Sequence, residues 1–262
     1  MKVSLFVTCL TDTFYPRVGE AVVRVLEHLG HTVEFPESQT CCGQPMWNTG
    51  CHADAAVAAK RMVEAFDGAE IVVTPSGSCA AMVREYYMDL LGKDPQWAAR
   101  TQAFVDKVYE FTEFLTKKHP VDLKALGCRW PAAPASIKTT YHYSCHLRGL
   151  HMTDEASRLL KQIDGIEFVP INKEAQCCGF GGTFAVKFPE VSGSLVNDKT
   201  ACVAATGAQV LVCNDGGCAM NITGALHRQK SPVVTKHLAE IIAEGLGLMP
   251  IVGPAQSSRQ PA

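Results

Sequence analysis

The chain opens on an apolar run, Val3 to Val7, short enough for a buried strand. Val18, Val22, Val25, Leu26 and Leu29 then recur at helical spacing, with Arg24, Glu27 and His28 on the other faces. Thr32 to Phe35 reads as a short strand, Ala53 to Phe66 as an alanine-rich helix, Ile71 to Thr74 as a strand and Ser78 to Leu90 as a helix. Pro95 to Lys118 reads as one more helix. The order then begins again. Ile137 to Tyr143 predicts a strand, Asp154 to Ile163 a helix and Ile166 to Val169 a strand. Pro189 to Thr206 predicts a helix, Val210 to Cys213 a strand and Cys218 to Arg228 a helix. A strand near Val233 precedes a last helix carrying Leu238, Ile241, Ile242 and Leu246 on one face. Alternating strands and helices predict parallel sheets joined by right-handed crossovers. The expected fold is α/β, with two tandem domains at residues 1–125 and 137–250. Gly127, Pro131, Pro134 and several alanines give residues 126–136 the composition of a linker, and 251–262 that of a disordered tail.

The cysteines strengthen the reading of a duplication. Cys9 and Cys145 are 136 positions apart, as are Cys41 and Cys177, and Cys42 and Cys178. Cys79 and Cys218 are 139 apart. Cys41-Cys42-Gly43 matches Cys177-Cys178-Gly179, and Ser76-Gly77-Ser78-Cys79 matches Asp215-Gly216-Gly217-Cys218. A period this long is that of a domain, well beyond solenoid repeats.

Composition narrows the chemistry. Lys plus Arg number 24 and Asp plus Glu 26, so the chain is near neutral and has no basic stripe for nucleic acid. No run approaches the roughly 20 apolar residues of a membrane span. Lys2 and the run from Val3 to Leu10 superficially resemble a short signal peptide. The run lacks a small-residue cleavage site and continues into Thr11, Asp12 and Thr13, so it reads as the first strand of a cytoplasmic protein. Twelve cysteines in such a chain point to metal or redox work.

Each repeated cysteine follows a predicted strand. In a parallel sheet these positions lie along one edge, outside the carboxyl ends of the strands, where α/β folds build their sites. Cys79 and Cys218 also open helices, whose free N–H groups favour thiolate. The chain contains no C-x-x-C hook of the kind structural zinc uses. Vicinal cysteines crowd a single tetrahedral ion but can reach neighbouring irons of a cluster, so the thiolate set favours iron–sulfur chemistry. A zinc-binding or thiol-redox protein without a cluster is the alternative.

The repeated Cys-x31-Cys-Cys-Gly pattern resembles the cysteine-rich CCG domain shared by heterodisulfide reductase and the iron–sulfur subunits of glycolate and anaerobic glycerol-3-phosphate oxidoreductases. The segments SLFVTCLTDTFYP, FPESQTCCGQP, TPSGSCAAMV, CHLRGL, CCGFGGTFAVKFPEVSG and HLAEII are similar to the lactate utilisation protein A branch, over roughly residues 1 to 247. That resemblance implies an iron–sulfur oxidoreductase subunit for electron transfer, acting with two partner subunits to oxidise L-lactate to pyruvate. It implies one or two clusters per chain, of 4Fe–4S type, on Cys9, Cys41, Cys42 and Cys79 and on Cys145, Cys177, Cys178 and Cys218. The wider family pattern ends in C-x-x-C and supplies five thiolates for a noncubane cluster. Here Ser76 and Asp215 stand at the extra position. Four thiolates suffice for a cubane; an oxygen ligand from Ser76 or Asp215, an open iron, or Cys213 two residues out of register are the alternatives.

Other residues carry weaker signals. Cys51, Cys128, Cys202 and Cys213 have no repeat partner and read as small buried thiols, with Cys51 the best exception because it opens a helix. His142 and His146 flank Cys145; ligation or proton transfer is weighed against a hydrogen-bonded supporting role, which is favoured. Arg84 and Arg148 read as solvated rather than as carboxylate clamps. Gly179-Phe180-Gly181-Gly182 lacks the G-x-G-x-x-G spacing for a nucleotide; its glycines would let backbone N–H groups reach cluster sulfurs. Trp47 and Phe180 lie beside the two Cys pairs and would shield a cluster or pack the core. No catalytic residue, electron acceptor or lactate site is legible.

Overall fold

The computed structural model describes residues 1–130 and 136–252. The centre of the predicted linker, 131–135, and the tail from 253 onward lie outside the described residues. Two four-stranded parallel sheets account for the strands. The first comprises β1 (Lys2–Leu5), β2 (Thr32–Glu34), β3 (Ile71–Thr74) and β4 (Val108–Glu110) in the order β2-β1-β3-β4. The second comprises β5 (Ile137–His142), β6 (Ile166–Phe168), β7 (Val210–Cys213) and β8 (Val234–Lys236) in the same order, β6-β5-β7-β8. The α/β class and the duplication expected from the sequence are both present.

The strand order has a consequence for function. β1 pairs with β2 on one side and β3 on the other, so the chain leaves it in opposite directions. The crevice this opens lies outside the carboxyl ends of β1 and β3. β5, between β6 and β7, repeats the arrangement.

Helices cover the sheets through their apolar faces. Pro16 starts its helix at a position where a missing N–H costs nothing, and Pro16–His28 buries Val18, Val22, Val25 and Leu26. Each such side chain contributes about 1.5–3 kcal/mol on burial. The C-terminal helix Leu238–Gly245 packs on this same Pro16–His28 helix. One hydrophobic cluster therefore contains Val22 and Phe66 from the first half with Leu160 and Ile241 from the second. Polar bonds follow the same path. Glu244, buried, accepts from Lys236 Nζ at 2.8 Å, Trp130 Nε1 at 2.7 Å and Arg17 of the first half at 3.1 Å. Cys128 and Trp130, from the predicted linker, are buried against this network.

The segment from Pro95 to Lys118 corrects the sequence reading. It is not one helix but a helix Ala98–Val105, the strand β4 and a helical stretch Phe111–Lys118 whose last part is a π turn. Phe104, Val108, Phe111 and Leu115 are all buried and recur at helical spacing, which explains the single-helix expectation. Pairing with β3 prevails, and the carboxylate of Glu110 starts the new helix by accepting the N–H groups of Thr112 (2.6 Å) and Glu113 (3.0 Å). No described helix is long and apolar enough to cross a membrane.

Candidate metal centre

Each predicted cysteine emerges where the strands end. Cys9 opens a short helix after β1, Cys41 and Cys42 lie in the loop after β2, and Cys79 sits in the first turn of the helix after β3. Cys145, Cys177, Cys178 and Cys218 repeat these placements after β5, β6 and β7.

The loop between Cys pair and helix needs glycine. Gly43 and Gly179 have φ of 90° and 82°, a left-handed backbone that side chains resist. A Cβ on Gly179 would also meet the carbonyl oxygen of Ser192 at 2.6 Å, and one on Gly43 that of Ala55 at 3.2 Å. This turn brings the pair back over the sheet edge, and the Gly179 N–H then donates to Cys177 Sγ at 3.3 Å.

Within each half the four thiols touch in sequence. Cys42 and Cys79 sulfurs are 3.5 Å apart, and those of Cys178 and Cys218 3.1 Å. Cys41 bonds with both Cys42 and Cys9, and Cys177 with both Cys145 and Cys178. The consequence is one ready thiolate per set. Hydrogen bonds from Cys42 and Cys9 hold Cys41 down to about 3, and those from Cys145 and Cys178 lower Cys177 far below an ordinary thiol. Cys9, Cys42, Cys145 and Cys178 are raised, first by giving those bonds and then by burial. Further thiolates at such spacing repel one another, so full deprotonation requires a bound cation.

The two sets face each other. The Cys9–Phe14 helix packs on the helix Gly216–Arg228 of the other half, and the Cys145–Arg148 turn packs on the helix Gly77–Ala81. This reciprocal contact is that of a pseudo-two-fold pair. All eight cysteines of the two sets consequently line one cavity of about 350 Å3. That volume falls in the roughly 300–1,000 Å3 range of ligand and cofactor sites.

Ser76 and Asp215 lie between the sets with their oxygens engaged. Ser76 Oγ caps its helix by accepting from the Cys79 N–H at 3.3 Å, and Asp215 Oδ1 does the same for Cys218 at 3.3 Å. Asp215 Oδ2 also crosses to the other half, accepting from Ser76 Oγ at 3.1 Å and from the Ser78 N–H at 2.9 Å.

Other predicted residues divide clearly. His146 lines the cavity between Cys145 Sγ (3.7 Å) and Gln44 Nε2 (3.1 Å), and Gln44 also donates to the Ser78 carbonyl. Phe180 lines the cavity, while Trp47 stacks on His52 and Tyr86. Arg84 pairs with Glu113 at 2.7 Å, and Arg148 donates to the Ala175 carbonyl. Cys51 is exposed at the N-cap of His52–Ala65, Cys128 and Cys213 are buried, and Cys202 is half-buried. Cys213 Sγ donates to the Asp215 carbonyl at 3.4 Å.

His142 differs from these. It is fully buried, and burial followed by the nearby charge of Lys199 lowers it to about 4. Lys199 escaped the sequence reading. Its ammonium, buried near Cys177, Cys178 and Cys218, donates to the carbonyls of Lys173 (3.1 Å) and Glu174 (3.3 Å). Its signal was present: Ser192, Val196, Lys199 and Val203 share the buried face of one helix, where a lysine needs a partner.

The fold and thiol geometry define a class. The chain belongs to the cysteine-rich domain family CCG, whose model matches residues 3–84 and again 139–223. Within that class it is similar to Lactate utilization protein A of Bacillus licheniformis, 46% identical over 92% of this chain and 99% of that protein. The Bacillus velezensis protein of the same name is 48% identical over the same shares. Lactate utilization protein A 2 of Bacillus cereus is 42% identical over 94% and 99%. Among solved structures, a hypothetical protein from Helicobacter pylori shares the fold with a TM-score of 0.63 at 10% identity. The match covers 94% of this chain, which spans about half (49%) of that one.

Proposed function

We propose that this chain is an iron–sulfur electron-transfer subunit of an oxidoreductase complex that oxidises L-lactate to pyruvate. The observation that carries the reading is the convergence of eight cysteines, as two complete four-thiol sets, on one cavity. Support for the substrate comes from the names of the relatives, which cover nearly their whole length.

The donor set fits iron–sulfur clusters. Cys9, Cys41, Cys42 and Cys79 would hold one 4Fe–4S cluster, and Cys145, Cys177, Cys178 and Cys218 the other. Four soft thiolates per set match the four irons of a cubane. When bound, these groups supply one-electron carriers on the shared cavity. The chain's own residues do the rest. Gly179 donates an N–H to Cys177, which lowers the negative charge felt there. Phe180 covers one cavity wall against water. In this reading Ser76 and Asp215 act as helix caps and as the bridge between halves, and the four thiolates of each set need no oxygen ligand. Two further subunits would supply the lactate site and the onward electron route in the cytoplasm, where thiols stay reduced.

The test is anaerobic assembly with the cognate partner subunits. L-lactate is expected to bleach the cluster absorbance of this chain, and the assembled Cys41→Ser variant is expected to lose lactate oxidation. Full lactate oxidation by an assembled variant lacking both clusters would overturn the proposal.

A further inference from the structure

The two halves offer the same thiols in different surroundings. Three residues before Cys145 stands His142, and three residues before Cys9 stands Phe6. His142 ends β5 and Phe6 directly follows β1, and both are fully buried. Phe6 packs edge-on against Phe66, with ring centroids 6.0 Å apart, as an ordinary core residue. Among the described residues neither ring nitrogen of His142 has a hydrogen-bond partner. Leaving such a group unpaired carries a desolvation cost that a phenyl ring at this place does not incur.

The imidazole points toward sulfur. A ring nitrogen of His142 and the sulfurs of Cys178 and Cys218 all lie within 4.8 Å of one another. We propose that His142 is a nitrogen ligand of the second centre, a fifth donor added to its four thiolates and lying beside Cys178 and Cys218. The first centre is then bound by thiolate alone and the second by thiolate and imidazole. The proposal rests on the iron–sulfur reading above. Imidazole ligation would raise the potential of the second centre relative to the first.

Pulsed EPR of the reduced protein, prepared with natural and with nitrogen-15 histidine, reads this directly. Iron and sulfide content, measured first, tests the underlying reading independently. The expected result is a directly bound histidine nitrogen coupling on one of two reduced centres. His142→Phe, which copies the first half, should abolish the coupling and shift one midpoint potential downward, leaving the other in place. His146→Gln should retain the coupling. Loaded wild-type protein with no strong histidine coupling overturns the proposal, as does a coupling that survives His142→Phe or disappears in His146→Gln. The wild-type isotope comparison decides the matter even where a variant fails to fold.

Discussion

Asp215 is one residue through which the two halves hold each other at the site. Its carboxylate is 3% exposed and makes three hydrogen bonds, one within its own half and two across. Asp215→Ser separates these roles. Serine keeps the helix cap, as Ser76 does for the equivalent helix, but is too short to reach the other half. Two bonds to a charged acceptor are lost, each contributing about 1.5–3 kcal/mol. The Ser76 hydroxyl recovers part of this, because Ser78 Oγ lies 3.3 Å away. The Ser78 N–H has no such substitute, and removing a buried carboxylate relieves some desolvation cost. The net destabilisation is about 2–3 kcal/mol. Urea unfolding followed by tryptophan fluorescence, at matched iron content, measures it. Asp215→Ala should lose about 1 kcal/mol more, the helix cap. If the four thiolates of each set hold the iron alone, iron content at zero urea equals that of the parent in both variants. An Asp215→Ser protein within about 0.5 kcal/mol of the parent, the range of ordinary surface changes, would refute the bridging role.

Three further outcomes follow from the same geometry. Gly179→Ala should destabilise by about 1–3 kcal/mol and lower iron in the second set, whereas Gly207→Ala, also at positive φ but with nothing near its Cβ, should keep its iron; stability and iron assays compare the two. Cys41→Ser and Cys177→Ser should each remove about half of the bound iron, while Cys202→Ser leaves it unchanged, as read by iron analysis of reconstituted protein. His237 is buried with Nε2 on the Pro75 carbonyl and Nδ1 accepting the Ala239 N–H, and burial lowers it to about 4. Its contribution is full above about pH 6.5 and falls as pH drops toward 4, by about 1.4 kcal/mol at pH 5.5. The stability gap between parent and His237→Gln should therefore shrink by that amount from pH 7.5 to 5.5 in urea titrations, the difference cancelling other titrating groups.

Much of this architecture is legible in the residues. The offset between the Cys9 and Cys145 sets announces the duplication, and strand-end placement puts all eight thiols on sheet edges. β3 and β7 coincide with the apolar runs that predicted them, because buried parallel strands leave continuous apolar sequence. β4 was not legible: its apolar residues keep helical spacing, and the Glu110 cap is not a favoured capping residue type. The facing of the two thiol sets has no local signal either, since it depends on packing between segments more than sixty residues apart. His142 shows why a flanking histidine is hard to weigh. Its burial and its distance from Cys178 and Cys218 come from β7 and the loop after β6, not from its neighbours in sequence. Lys199 is the reverse case, since a charged residue on the buried face of a helix is visible in advance.

In the proposed function this chain carries two iron–sulfur clusters, one on each thiol set. Iron and acid-labile sulfide, counted per chain on protein purified or reconstituted without oxygen, test it most directly. The expected result is a brown protein with about eight iron and eight sulfide per chain. A colourless protein carrying only zinc after anaerobic reconstitution would contradict it.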